Sequence, residues 1–219
     1  MLTTPQIDAH RARLAHVHTT TPYYEKAEST AWLSPFWSPT GLFRPLFDTL
    51  DLTNVIDLAC GHGRHTAQFV ERAGHVTLVD VNQANIDACK LRFASRPNVS
   101  FLVNDGRTLR PLPDGQFTSV FSYDAMVHFE AMDVASYVFD IFRVLAPLGR
   151  ALLHYSVLED TPHLSFDADR RWRNYGSESF MCYIASRAGF SIIAKHKFPW
   201  PVDSEESPCD GLILLEKPN

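Results

Sequence analysis

The segment from Asp57 to Thr66 places one acidic residue, two glycines and three basic residues within ten positions. It reads DLACGHGRHT, with Gly61 and Gly63 near its centre. Glycines let a backbone approach a ligand closely, and a helix that begins just after them offers unpaired amide donors to the ligand's polar groups. The segment therefore predicts a ligand-binding turn at the start of a helix.

Three kinds of nucleotide-like ligand could use such a turn. A phosphate-cradling P-loop needs the pattern G-x-x-x-x-G-K-S/T, which the chain does not contain. A nicotinamide or flavin site needs G-x-G-x-x-G, and Thr66 stands where the third glycine would be. The third kind is a site for S-adenosylmethionine, which combines an acidic residue with a glycine-rich turn and agrees with the segment.

Two further aspartates follow apolar runs, Asp80 after the second and Asp105 after the third. Asp80 lies 19 residues beyond Gly61, close to the roughly 20 residues expected for an acid that binds ribose hydroxyls. A carboxylate accepts two hydroxyl hydrogen bonds at once, which suits a vicinal diol. The alternative is that both aspartates simply cap helices or turns.

Seven apolar runs typical of strands alternate with segments of helical periodicity. Strands are predicted at 55–59, 75–80, 99–103, 117–123, 150–157, 190–197 and 211–217. Helices are predicted at 66–73, 83–95, 133–145 and 178–188, the second capped by Asn82. This alternation predicts an α/β fold, a Rossmann-like, doubly wound, mostly parallel seven-stranded sheet with an antiparallel C-terminal strand.

The whole chain, 1–219, is predicted to form one domain, because 219 residues suffice for one core and would crowd two. Residues 1–50 are rich in proline and aromatic residues, which predicts short helices that form an N-terminal helical lid. The cofactor-binding core is predicted at 51–157, a lid insertion at 158–176, and a C-terminal helix and strand pair at 177–219.

Five segments in order resemble the motifs of class I S-adenosylmethionine-dependent methyltransferases. VIDLACGHGRHT resembles the first motif, with Ala59 where many members have glycine, and VTLVDVNQANIDACK resembles the second. NVSFLVNDGRTL, FTSVFSYDAMVHF and IFRVLAPLGRALL resemble the next three. The resemblance implies S-adenosylmethionine as cofactor, S-adenosylhomocysteine as product, and methyl transfer to nitrogen, oxygen or sulfur of a small-molecule acceptor.

The resemblance also implies which residues bind the nucleoside part of the cofactor. Asp80 would accept from the ribose hydroxyls, and Val81 would lie beside the adenine. Asp105 would accept from the adenine amino group, and Gly106 would donate a backbone amide to a ring nitrogen.

The methionine part of the cofactor would lie against the glycine turn. Asp57 would face its ammonium, and Arg64 would hold its carboxylate together with Tyr23 or Tyr24, although Arg64 could equally be an exposed first-turn residue. The full predicted cofactor site consists of Tyr23, Trp37, Asp57, Ala59, Gly61, Gly63, Arg64, Asp80, Val81, Asp105, Gly106 and Tyr123.

The acceptor is expected beyond the fourth strand, where Tyr123, Asp124 and His128 are the catalytic candidates. Methyl transfer depends mainly on alignment, and a base is needed only if the acceptor must lose a proton. His128 could be that base, because imidazole titrates near neutrality, or it could simply pack in a helix. Asp124 could orient an amine or cap a helix. The predicted substrate pocket consists of Tyr24, Trp32, His128, His154, Arg171, Trp172, Asn174 and Tyr175.

The charge balance bears on the partners. The formal net charge is -5 and the sequence pI is about 6.0, which argues against broad binding of nucleic acid. Arg170, Arg171 and Arg173 form the richest basic cluster, either a solvated loop or a lid that contacts an anionic substrate. We expect a small-molecule acceptor, no nucleic acid, no membrane, and a monomer or homodimer. An RNA or protein methyltransferase, or a catalytically silent S-adenosylmethionine-binding regulator, remains the alternative.

The four cysteines are scattered and show no spacing typical of zinc, so no metal is expected. The N-terminus carries no positively charged segment followed by an apolar run. We therefore expect a cytoplasmic protein with reduced thiols.

Overall fold

The fold is described from a computed structural model, which describes residues 4–17, 23–160, 172–200 and 208–219. Seven strands form its sheet. They are β1 (Asn54–Leu58), β2 (His75–Asp80), β3 (Val99–Val103), β4 (Phe117–Ser122), β5 (Leu145–Ser156), β6 (Ser191–Phe198) and β7 (Asp210–Glu216). Seven α-helices accompany the sheet. They are α1 (Thr4–Val17), α2 (Tyr23–Ala27), α3 (Thr30–Trp37), α4 (Phe43–Phe47), α5 (Gln83–Arg92), α6 (Ala131–Val144) and α7 (Glu178–Ala188).

The strands form one sheet in the order β3-β2-β1-β4-β5-β7-β6. The first five are parallel, whereas β7 runs antiparallel to both β5 and β6. This arrangement confirms the predicted Rossmann-like sheet with an antiparallel C-terminal strand. The strand order reverses between β1 and β4, and open α/β sheets bind ligands at the carboxyl ends of strands at such a point.

Two apolar clusters cover the two faces of the sheet. Consecutive residues of β1 belong to different clusters. Ile56 lies in the cluster that includes α6 and α7, and Val55 lies in the cluster that includes α3, α4 and α5. This alternation follows from the two-residue period of a strand. Helices α3 and α4 therefore complete a core, and the function of the N-terminal helices as a lid stays a prediction.

The predicted helix at 66–73 is wrong. Two short 3₁₀ turns, Thr66–Gln68 and Val70–Arg72, occupy the segment, separated by Phe69. Phe69 has a φ of -138°, far from helical values, and its ring packs against Phe47 and Phe121. Burial of this ring outweighs the helical periodicity of the segment.

The start of the fifth strand also differs from the prediction. Strand β5 begins at Leu145, immediately after α6, rather than at residue 150. Leu145 pairs with Phe117, and the register then shifts before Arg150 pairs with Ser119. Leu148, at a φ of 62°, lies in the bulged part. The segment between the predicted helix and the predicted strand is therefore a bulge inside a longer strand.

Candidate functional site

A large cavity opens at the carboxyl ends of β1, β2 and β4, bounded by α1 and α2. It encloses about 1090 Å³, open solvent included, enough for a cofactor-sized molecule. Its wall contains the glycine turn, the residues after β2 and the residues after β4. The described residues contain no group of His, Cys, Asp and Glu side chains suited to a metal ion.

The glycine turn approaches the cavity at Gly61 and turns away from it at Gly63. Gly61 has a φ of 53°, and a Cβ there would lie 2.7 Å from the Tyr24 ring. Gly63 has a φ of 74°, but a Cβ there would meet Phe93 at 2.5 Å. Gly63 does not line the cavity. Its predicted cofactor contact is therefore corrected: Gly63 allows the turn to pack closely on α5.

Asp80 lies at the end of β2, in the cavity wall. Its Oδ2 accepts from the Gly61 amide at 2.9 Å, and its Oδ1 accepts from the Asn82 amide at 2.9 Å and from Asn85 Nδ2 at 3.1 Å. Burial raises the pKa of Asp80 and the three donors oppose the rise. They also fix the carboxylate in one orientation beside the glycine turn.

The adenine side of the cavity differs in part from the prediction. Val81 and Gly106 line the cavity. The carboxylate of Asp105 instead accepts from the amides of Arg107 and Thr108, at 2.9 and 2.7 Å. Asp105 is exposed and lies outside the wall, so it stabilises its own turn. Asn104, which the sequence reasoning missed, lines the cavity in its place.

Asp57 lies beneath the glycine turn and not in the cavity wall. It is 2% exposed, and its Oδ2 accepts from the Thr66 hydroxyl at 2.6 Å. Burial raises the pKa of Asp57 to about 7, and the Thr66 hydrogen bond only partly opposes this. Direct contact between Asp57 and a ligand in the cavity is therefore not supported.

A buried ion pair borders the cavity next to the glycine turn. Arg64 is only 7% exposed, which rules out the exposed first-turn alternative. Its guanidinium donates to Asp124 and, at 3.0 Å, to the Ala27 carbonyl. The Tyr23 hydroxyl donates to the same carboxylate at 2.6 Å. Burial by itself would raise the pKa of Asp124. The positive charges of Arg64 and Arg173 outweigh this effect and hold the pKa below its usual value.

Tyr24 stacks on His62 of the turn, with ring centroids 4.0 Å apart. Its hydroxyl accepts from Asn85 Nδ2 at 2.9 Å. It therefore lies near Asp80, on the cofactor side of the cavity, and not in a separate acceptor pocket. His62 and Asn85 are wall residues that sequence reasoning did not assign.

Helix α1 lies over the adenine side of the cavity. Arg11 donates to both carboxylate oxygens of buried Asp133, from Nε at 3.0 Å and from Nη2 at 2.7 Å. Asn82 Nδ2 donates to the Ala15 carbonyl at 3.0 Å. No sequence pattern predicts these two hydrogen bonds, the clasp between Arg11 and Asp133, because the two residues are 122 positions apart and follow no spacing rule.

Asp124 adopts a φ of 57°, unusual for a residue other than glycine. Its amide donates to His154 Nδ1 at 3.0 Å, and His154 Nε2 lies 3.2 Å from Asp210 Oδ2. Arg173 donates twice to Asp210, at 2.6 and 2.8 Å. Burial alone raises the pKa of Asp210, but His154 and Arg173 hold it well below the usual range. His154 was predicted to line the substrate pocket. It is instead fully buried outside the cavity wall and accepts a hydrogen bond from the backbone of Asp124.

The acceptor side of the cavity contains Tyr123, His128 and Asn174. The His128 Nδ1 atom is in a short contact with the Trp172 carbonyl. Since a carbonyl only accepts, Nδ1 carries a proton there. The Asn174 backbone amide donates to the Val127 carbonyl at 2.9 Å, which anchors the end of the predicted insertion at 158–176.

Four other predicted site residues lie outside the wall. Trp37 is buried in the core, where its indole donates to His65 Nδ1 at 3.1 Å. Trp32 packs edge-on to Tyr23 and Trp200, because its ring completes the aromatic cluster rather than the cavity. The side chains of Trp172 and Tyr175 are exposed to solvent, and neither residue lines the cavity. Arg171 and Arg170 fall outside the described residues.

Comparison with known proteins finds a family model and a relative that each match part of the chain. Residues 55–149 match the family model described as "Methyltransferase domain". The chain is 25% identical over 147 residues to YqeM of Bacillus subtilis (strain 168), a protein provisionally named a methyltransferase. That alignment covers 62% of this chain and 59% of YqeM.

Several solved structures share the fold. The PH0226 protein from Pyrococcus horikoshii OT3 is 21% identical, with a TM-score of 0.68 over 92% of this chain and 98% of that one. An S-adenosylmethionine-dependent methyltransferase from Mesorhizobium loti is 17% identical, with a TM-score of 0.63 over 80% and 97%. The 4+2 cyclase SpnF is 15% identical, with a TM-score of 0.63 over 80% and 79%. At these identities the likeness shows the fold alone.

Proposed function

We propose that this chain is a class I S-adenosylmethionine-dependent methyltransferase that transfers a methyl group from S-adenosylmethionine to a small-molecule acceptor. The chain spans 59% of the length of YqeM, the curated relative that it matches. Methyl transfer and the acceptor are therefore argued from the site itself.

One observation carries the proposal: the same cavity wall holds a fixed carboxylate and a buried ion pair. Asp80 retains acceptor capacity beyond its three donors and suits a ribose diol. Arg64 and Asp124 offer opposite charges beside the glycine turn. A zwitterionic amino-acid group matches such a pair, with its carboxylate towards Arg64 and its ammonium towards Asp124. S-adenosylmethionine contains both a ribose and an amino-acid zwitterion, whereas NAD contains no amino-acid group.

When bound, S-adenosylmethionine supplies an electrophilic methyl group on a sulfonium whose departure needs no acid. Asp80, Arg64 and Asp124 would hold the cofactor, and the acceptor would take the methyl group while the electron pair of the broken carbon–sulfur bond stays on sulfur. The chain's own task is to align the acceptor and exclude water. We propose that Tyr123 and Asn174 orient the acceptor and that His128 Nε2 takes its proton, if it has one to lose. The Trp172 carbonyl fixes the proton of His128 on Nδ1 and so favours this direction of transfer.

A small molecule is the acceptor class that the described residues favour. Arg173, one of the three arginines considered as docking charges for RNA or protein, is buried and paired with Asp210. It is thus not presented to a macromolecule. The net charge of -5 further disfavours RNA.

A second candidate is S-adenosylmethionine binding without methyl transfer. SpnF shares the fold and is named a cyclase, so methyl transfer does not follow from the fold by itself. A binding protein would retain the cofactor site and yet form no S-adenosylhomocysteine.

Calorimetry with S-adenosylmethionine, S-adenosylhomocysteine and NAD tests the proposal. We expect micromolar binding of the first two and none of NAD. Acceptor screening with amines, hydroxyl compounds and thiols should then give S-adenosylhomocysteine at a rate that falls in His128→Gln. Binding without turnover for every acceptor would favour the second candidate, and binding of NAD alone would reject both.

A further inference from the structure

His65 presents an unpartnered hydrogen-bonding atom beside the cavity. The residue is 5% exposed and lines the cavity, and its Nε2 has no partner among the described residues. Buried polar side-chain atoms in folded proteins are almost always hydrogen-bonded. An unpartnered one next to a cavity points to a group that binds there.

Trp37 determines which nitrogen of His65 carries the proton. The indole Nε1 of Trp37 lies 3.1 Å from His65 Nδ1. Because an indole N–H can only donate, Nδ1 must accept and hold no proton. A neutral His65 therefore carries its proton on Nε2, where it is a donor without an acceptor.

His65 is neutral at physiological pH. Burial lowers its pKa well below the usual histidine value, and the neighbouring Arg64 lowers it further. The ring consequently offers one N–H donor and brings no charge. Protonation of Nδ1 would also break the hydrogen bond with Trp37.

The surroundings of His65 favour an anion as the missing acceptor. The Phe36 ring lies 6.2 Å from the His65 ring and 6.0 Å from the Arg64 guanidinium carbon. The His65 ring and the Arg64 guanidinium thus both lie near the Phe36 ring, and both residues line the cavity. An acceptor that reaches the His65 Nε2–H near this guanidinium gains most if it is negatively charged.

We propose that His65 Nε2–H donates a hydrogen bond to the carboxylate of the amino-acid part of S-adenosylmethionine, and that Trp37 positions His65 for this contact. The inference rests on the proposed cofactor. It gives Trp37 an indirect role: Trp37 holds the tautomer of a residue that binds the ligand. His65 and Arg64, consecutive in the chain, would together hold the carboxylate while Asp124 faces the ammonium.

Two probes that differ only in the carboxylate test the inference. They are S-adenosylmethionine and decarboxylated S-adenosylmethionine, which retains the sulfonium and the amine. Binding of each is measured by calorimetry to the wild type, His65→Leu, His65→Gln and Trp37→Phe. We expect His65→Leu to weaken S-adenosylmethionine roughly tenfold and to leave the decarboxylated probe unchanged. His65→Gln keeps an amide donor and should recover part of the loss, and Trp37→Phe should show a smaller loss of the same selectivity.

Proton–nitrogen correlation spectra of the wild type give a readout that needs no variant. His65 should appear as the Nε2–H tautomer in the free protein, and its Hε2 resonance should move downfield with S-adenosylmethionine but not with the decarboxylated probe. An Nδ1–H tautomer, or equal weakening of both probes by His65→Leu, would overturn the inference while leaving the cofactor intact. Failure of the wild type to bind either probe would instead reject the proposed function itself, and the inference with it.

Discussion

Asp80 is the residue on which the nucleoside side of the site depends most. Asp80→Ala should weaken S-adenosylmethionine binding by about 1–3 kcal/mol, because the ribose hydroxyls lose a buried acceptor. Calorimetry measures the change. Asp87→Ala is the matched control: it removes an exposed carboxylate from α5 that pairs only with Lys90 and Gln83. Equal affinities for Asp80→Ala and the wild type, in a folded variant, would contradict the ribose assignment.

Asp57 should make the stability of the protein depend on pH. Its pKa is about 7 in the folded chain and 3.8 in the reference state, so the folded state binds the extra proton between these values. Its contribution is therefore fully present below about pH 4 and lost as the pH rises through 7. Asp57→Asn keeps an acceptor for Thr66 and cannot ionise.

Urea unfolding between pH 4 and 8 measures this contribution. The free energy of unfolding of the wild type should fall relative to Asp57→Asn by a few kcal/mol, about 1.4 per pKa unit. Asp87→Asn, at an exposed position, should follow the wild type. Parallel pH curves for wild type and Asp57→Asn would show that Asp57 is ionised in the folded protein throughout.

Two hydrogen bonds from Arg11 to Asp133 attach helix α1 to helix α6. Arg11→Met keeps the apolar stem over Gly106 and removes both hydrogen bonds to Asp133. We expect faster amide exchange in α1 and roughly five- to tenfold faster dissociation of S-adenosylmethionine, because the helix closes the adenine side less often. Arg107→Met is the control, since Arg107 approaches Asp133 only to 3.7 Å. Unchanged exchange in α1 would show that the helix is held by other contacts.

Asp210 of strand β7 contacts His154 and Arg173, and His154 in turn accepts from the backbone of Asp124 in the cavity wall. Asp210→Asn should lower the free energy of unfolding by about 3–5 kcal/mol, because it removes the charge of the carboxylate that pairs with the buried Arg173 guanidinium. Glu216→Gln, on the same strand, removes a partly exposed ion pair with Arg150 and should cost less than about 1 kcal/mol. Urea unfolding of the two variants compares them directly. Similar losses would mean that the buried network contributes no more than a surface pair.

The elements that periodicity and caps specify were predictable. Strand β2 and helix α7 have the predicted bounds, since a buried parallel strand is a continuous apolar run and α7 lies between Ser177 and Gly189. The structure of the segment after the glycine turn was not predictable from the sequence, because the burial of Phe69 depends on rings from α4 and β4. Local pattern cannot express such a contact.

The same distinction holds for the site. Asp80 and Gly61 were predictable, because they belong to the strand ends and the turn that define a nucleotide-binding edge. Arg11 and His65 were not: the first depends on where α1 docks, and the second on the indole of Trp37. Asp105 and Gly63 match the motif, yet they serve their own turn and the packing of α5.

For the whole molecule, the cavity unites segments from both layers and from the N-terminal helices, so an occupant should stabilise all of them together. The wall draws on α1, α2, β1, β2 and the segment after β4. A ligand that binds only the folded state adds about 2.7 kcal/mol at one hundred times its dissociation constant. The described residues contain no helix long and apolar enough to cross a membrane.

Ligand binding to the folded protein should be measurable as a rise in its melting temperature. S-adenosylmethionine at one hundred times its dissociation constant should raise the melting temperature by roughly 5–10 °C for a chain of this size. NAD at the same concentration should leave it unchanged, and Asp80→Ala should lose most of the shift at the wild-type ligand concentration. Amide exchange should slow in α1 and at the glycine turn in parallel, because both line the cavity. A shift with protection confined to the turn would mean that α1 does not close over the ligand and that the clasp between Arg11 and Asp133 serves folding alone.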